Sequence, residues 1–270
     1  MKHVHNDTGK LNTQYTIILG AEGELGKAMA REIARKGCNL LLVSTTSIDL
    51  QRFAIGLQLA HEIQVNAIKL NLSNQEEIQS FTESIRDQFE VRALVNNITC
   101  DWSSGENRCI AELAKDDFQT RFRGAALITL SLLTQMRGLS SSYIQHIIPF
   151  PFRKEQFSAG LQHSVAKMYA FTKELEEDLK HTGVSVSLVH PAPMKSIMPQ
   201  MESIGRIFEE DIQSLAPGLI AAKAVRGMLR GDRLIIPGLR NKILFYLNRH
   251  ATSWFRTVEE SFDSGLQTSM

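Results

Sequence analysis

Two near-continuous apolar runs, Thr16-Ile17-Ile18-Leu19 and Asn39-Leu40-Leu41-Leu42-Val43, constrain this chain more than any other feature. A strand that is apolar at every position has both of its faces covered, which is the condition of a parallel sheet held between two helical layers. Parallel neighbours cannot be joined by a tight turn, so the chain must cross over through a helix, in the right-handed sense. The stretch between the runs supplies that helix: in 24–36, Leu25, Met29, Ile33 and Ala34 recur at helical spacing, and Gly37 follows as a stop. The alternation continues, with strands expected at 15–20, 39–44, 65–71, 91–96, 143–149, 184–190 and 233–236 and helices between them. The reading is α/β, a doubly wound parallel sheet of about seven strands with helices on both faces.

A chain of 270 residues suits one such domain. We expect a polar N-terminal extension at 1–14, the α/β domain at 15–240 and an amphipathic tail at 241–270. The formal net charge is +1, with 30 basic and 29 acidic residues spread along the chain, so nothing favours a polyanionic partner and no nucleic acid is expected. Cys38, Cys100 and Cys109 have neither metal-ligand spacing nor an even number, and are read as reduced thiols with no metal site. No segment reaches the roughly twenty apolar residues of a membrane span, and the N-terminus has no signal-peptide pattern. A cytoplasmic location is the expectation.

Between the first strand and the first helix lies Leu19-Gly20-Ala21-Glu22-Gly23-Glu24-Leu25-Gly26. Gly20, Gly23 and Gly26 in that context form a backbone without Cβ atoms that turns tightly and opens a helix N-terminus to a pyrophosphate, the Rossmann-like dinucleotide device. Glu22 and Glu24 complicate it, because a carboxylate aimed into the loop repels phosphate. We read both as pointing to solvent and capping the helix. After the second strand, an acid would bind a ribose diol and an arginine a 2′-phosphate. Ser44 and Thr45 stand there, so the cofactor is NAD or NADP without a choice between them.

On these residues, with Leu94-Val95-Asn96-Asn97, Ser164-Val165-Ala166-Lys167, Val189-His190-Pro191 and the segment 221–240, the chain resembles the short-chain dehydrogenase/reductase family from about residue 15 to about 249. The resemblance implies an NAD(P)-dependent oxidoreductase, a lysine on the nicotinamide ribose and a homo-oligomer paired through long helices. It also exposes departures. The tyrosine position carries His163, the serine position falls at Pro149 or Phe150, and the relay asparagine corresponds to Ala125. Pro191-Ala192-Pro193 replaces a proline-glycine pair, and Asn71 stands where an aspartate often contacts adenine. Only Lys167 is kept from the catalytic set.

Losing one donor to a developing oxyanion costs about a hundredfold or more in rate. The favoured reading is therefore a cofactor-binding member that is catalytically silent or atypical. The alternatives are an active oxidoreductase of a small carbonyl or alcohol substrate using His163 and Lys167, and an interaction protein with a closed nucleotide cleft. An imidazole can be an acid, and Lys167 one turn away would lower its pKa, but the ring is shorter than a phenol. His163 is accordingly read as a polar cleft residue. Lys167 is read as a ribose ligand, Asn96 as a holder of the sheet edge and cofactor loop, His146 and His190 as structural residues, and Ser158 and Ser164 as helix caps. Trp102 and Phe152 are candidate cleft walls. The amphipathic segment 241–254, with Ile243, Leu244, Phe245, Leu247 and Trp254, is read as packing over the substrate side or as a subunit contact rather than as a membrane-surface helix.

Overall fold

The computed structural model describes residues 14–45, 48–97, 115–148, 159–191 and 215–251, with the side chains of 48, 115–118, 159–164 and 248–251 outside that description. Within it, seven strands form one sheet: β1 (Gln14–Leu19), β2 (Asn39–Ser44), β3 (Val65–Lys69), β4 (Glu90–Asn97), β5 (Ser142–Ile147), β6 (Val184–Val189) and β7 (Leu234–Ile235). Their order is β3-β2-β1-β4-β5-β6-β7 and every pairing is parallel. The described helices are α1 (Glu24–Ala34), α2 (Ile48–His61), α3 (Gln75–Gln88), α4 (Lys115–Arg137), α5 (Ala159–Leu179), α6 (Pro217–Arg230) and α7 (Leu239–Ala251).

The apolar runs do what their pattern requires. Leu40 and Leu42 face one layer with α1, α2 and α6, whereas Leu41 and Val43 face the other with α3, α4 and α5. All four are buried, so β2 is covered on both faces. The chain reverses direction across the sheet between β1 and β4, and the carboxyl ends of these strands open the crevice where ligands bind in this architecture.

Boundaries differ from the expected ones where local chemistry intervenes. β3 ends at Lys69, the Leu70 N–H making a last bond to the Ser44 oxygen at 2.9 Å; beyond it the Asn71 N–H goes to the Glu77 Oε2 at 3.1 Å and the Asn71 Oδ1 accepts from the Ser73 N–H at 3.0 Å and hydroxyl at 2.6 Å. α1 ends at Ala34 rather than Lys36, its last turn closed by the Gly37 N–H on the Ala34 oxygen at 2.8 Å. The final helix begins at Leu239, two residues before the expected tail. Its Asn241 and Phe245 are buried, while Leu239, Ile243 and Leu247 form an exposed stripe. No described helix is long and apolar enough to cross a membrane.

Candidate functional site

Three residues lock the turn after β1 against its neighbours. Gly20 has φ +68°, and a Cβ there would lie 2.3 Å from the Asn97 backbone oxygen. The Asn97 Nδ2 donates back to the Gly20 oxygen at 3.0 Å. Gly26, in the first turn of α1, comes so close that a Cβ would stand 2.2 Å from the same Gly20 oxygen and 2.8 Å from the Ala21 Cα. The Ala21 N–H donates to the Val43 oxygen at 3.1 Å, which joins the turn to the end of β2. Gly23 is the N-cap of α1 with φ −72° and ψ 162°, and no side chain caps the helix. The first turn of α1 thus presents the positive end of the helix dipole beside the glycine turn, with no cap from the Gly23 side.

Glu22 does not behave as expected. Instead of capping α1 it turns toward the end of β2, where the Thr45 hydroxyl donates to its Oε1 at 3.4 Å. Its Oε2 is buried and has no hydrogen-bond partner. The carboxylate lines a pocket with Gly20, Ser44, Thr45, Asn97 and, from α4, Arg121. Ser44 is buried and Thr45 exposed, so the two hydroxyls expected at the β2 edge both border this pocket from different depths.

The asparagine pair divides its work by strand alternation. Asn96 is fully buried on the α4 side, its Nδ2 donating to the Thr129 hydroxyl at 2.9 Å and lying 3.4 Å from the His146 Nδ1. Asn97 is the member of the pair that borders the pocket. Asn96 therefore supports the sheet and α4 from within, and Asn97 is the one that also bonds the glycine turn.

Behind the cleft, His146 and His190 are both fully buried, and burial pushes each imidazole down to about 3, so both are neutral. His190 Nδ1 lies 3.1 Å from the Ile148 oxygen, and its ring stacks on Tyr169 with centroids 5.0 Å apart and lies 5.4 Å from Phe245 of α7. These are structural roles, and they tie the last helix to the end of β6.

Lys167 is exposed on α5, four positions after His163, which lies in the same helix with its side chain outside the described residues. Pro149, Phe150, Phe152, Ser158, Ala192, Pro193, Trp102, Trp254, Cys100 and Cys109 also lie outside them, as do the side chains of His163 and Ser164. Ala125 is buried against the sheet, and its oxygen accepts from the Thr129 hydroxyl at 2.7 Å, so an apolar methyl stands at the expected relay position. Arg121, one turn earlier, is the cleft residue that sequence reasoning missed. Its signal was Gly124, where a Cβ would lie 2.9 Å from the Leu72 side chain: a glycine inside a helix marks where α4 comes close to the cleft wall.

The close-packed turn at Gly20 and Gly26, the α1 terminus at Gly23 and a largely apolar pocket at the β2 edge, into which Glu22, Ser44, Thr45, Asn97 and Arg121 bring polar groups, are compatible with the pyrophosphate and adenosine ribose of a dinucleotide. Among the described residues no cluster of side chains suits a metal.

A seven-stranded parallel sheet with a glycine turn at its switch point defines a doubly wound α/β domain of the Rossmann kind. The sequence matches the short chain dehydrogenase family over residues 14–204, and the chain belongs to that family. Solved structures share its fold. The bulky-bulky ketone specific alcohol dehydrogenase of Comamonas testosteroni is 18% identical with a TM-score of 0.68, over 96% of this chain and 95% of that one. A short-chain dehydrogenase from Sphingobium yanoikuyae in complex with NADPH is 18% identical with a TM-score of 0.69, over 95% and 96%. A Burkholderia phymatum member in complex with NAD is 17% identical with a TM-score of 0.66, over 85% and 90%. No curated protein sequence matches the chain.

Proposed function

We propose that this protein binds a nicotinamide dinucleotide at the β1–β4 switch point but does not carry out ordinary carbonyl reduction. The interlocked Gly20, Gly26 and Asn97 support the first half of that reading, because two missing Cβ atoms and one side-chain bond hold a tight turn directly before the N-terminus of α1, the kind of place where a pyrophosphate binds. Gly23 and the first turn of α1 hold the pyrophosphate, Ser44 and Thr45 border the adenosine ribose, and Lys167 holds the nicotinamide ribose. When bound, the nicotinamide supplies or accepts a hydride.

The second half rests on the residues that would meet a substrate. A carbonyl oxygen gaining charge needs a donor, and His163 replaces the tyrosine while Pro149 or Phe150 replaces the serine. The remaining cation, Lys167, positions cofactor rather than protonating substrate.

Titration with NADH and NADPH by fluorescence or calorimetry, followed by turnover against a panel of ketones and aldehydes, tests both halves. Binding with little or no turnover is expected. Turnover at rates ordinary for the family, lost in His163→Ala, would show instead an active oxidoreductase with a histidine acid. Failure to bind either dinucleotide at millimolar concentration would favour a protein whose cleft is closed. Family membership also makes a cytoplasmic homo-oligomer the working assignment, which light scattering after size-exclusion chromatography checks for its assembly.

A further inference from the structure

We propose that Glu22 selects between the two dinucleotides, accepting the adenosine ribose as a free diol and rejecting its 2′-phosphate, so that the chain prefers NAD(H) to NADP(H). This rests on the dinucleotide reading above. The end of β2 carries only the neutral hydroxyls of Ser44 and Thr45 in the described residues, so the wall that commonly discriminates lacks a charge. The charge comes from the opposite wall instead. Glu22 reaches across from the glycine turn and lines the pocket with Gly20 and Asn97, its Oε1 contacted by the Thr45 hydroxyl at 3.4 Å and its Oε2 held out of water without a hydrogen-bond partner beside that pocket.

A carboxylate oxygen removed from water and given no donor is costly, and a ligand that brings a donor recovers that cost. A ribose diol brings two hydroxyl donors. A phosphate ester in the same place brings acceptors only, together with negative charge that repels the carboxylate at short range. Arg121 lines the same pocket from α4 and is the group that would favour the phosphate, so the two side chains make opposite predictions for the same ligand pair.

Dissociation constants of NADH and NADPH, measured for the wild type and for Glu22→Gln, decide between them, with melting temperature as the folding control. NADH binding about tenfold or more tighter than NADPH is expected in the wild type. In Glu22→Gln, which keeps the shape and removes the charge, most of that preference disappears through a gain in NADPH affinity. Equal affinities, a preference for NADPH, or an unchanged ratio in Glu22→Gln each overturn the inference and leave dinucleotide binding standing. Binding by Glu22→Gln alone overturns it too, since the carboxylate then closes the cradle rather than selecting what enters. No binding by either protein removes the inference and the reading beneath it together.

Discussion

The side-chain amide of Asn97 donates to the backbone oxygen of Gly20 at 3.0 Å, tying the carboxyl end of β4 to the turn that follows β1. This bond spans the point where the chain reverses across the sheet, and it holds the turn in a conformation that φ +68° makes unfavourable for a residue with a Cβ. Asn97→Ala should therefore lower stability by about 1 kcal/mol, the net worth of one hydrogen bond, and weaken dinucleotide binding by loosening the turn. Denaturant melts and NADH titration check the two effects; unchanged affinity with lowered stability would reduce Asn97 to a purely structural tie.

Gly26→Ala should do more damage. The added methyl meets the Gly20 oxygen and the Ala21 Cα, both backbone, so α1 must move away from β1 rather than a side chain yielding. A loss of about 1–3 kcal/mol and a melting temperature lower by several degrees are expected. A variant that melts like the wild type would show that α1 is not packed this closely.

Acid should destabilise the protein through its two buried histidines. His146 and His190 are neutral in the folded state, with burial holding each near 3, whereas an unfolded imidazole titrates near 6.5. Above pH 6.5 neither state binds the proton and stability is full. Between about 6.5 and 3 the unfolded state binds more protons, so stability falls with pH by up to about 1.4 kcal/mol per unit for each histidine. His146→Gln should flatten that slope by one proton. Chemical melts at pH 7, 6 and 5 measure it, and an unaltered slope in the variant would assign the acid sensitivity elsewhere.

Lys167 is exposed, so Lys167→Ala should change stability by no more than about 0.5 kcal/mol. Its effect should fall on NADH affinity instead. Unchanged affinity would mean that the ammonium serves only solubility and leaves the nicotinamide ribose unsupported from α5.

Much of the fold was legible because burial on two faces writes itself into consecutive residues. Leu40, Leu41, Leu42 and Val43 could belong only to a covered strand, and Leu25, Met29 and Ile33 only to a helix lying on one. Strand ends were less legible. At Asn71 the Glu77 carboxylate takes the backbone N–H that a longer ladder would use, and periodicity carries no trace of that competition.

The site divides in the same way. The tight turn at Gly20, Gly23 and Gly26 was readable because glycines between an apolar strand and an amphipathic helix mark a close strand-to-helix turn. His163 at the tyrosine position is a reading from the family resemblance, and its side chain lies outside the described residues. Which of Asn96 and Asn97 borders the pocket depends on strand parity at the sheet edge, and Arg121 enters only because Gly124 lets α4 approach Leu72.

By itself the sequence determined the layers, the strand count, the family and the place of the glycine turn, since each is set by local patterns of apolar residues and glycines. Only the tertiary structure decided where Glu22 points. A carboxylate one residue before a helix cap can face water or reach back over the sheet, and the choice belongs to Thr45, twenty-three positions away, which the fold brings to the same edge.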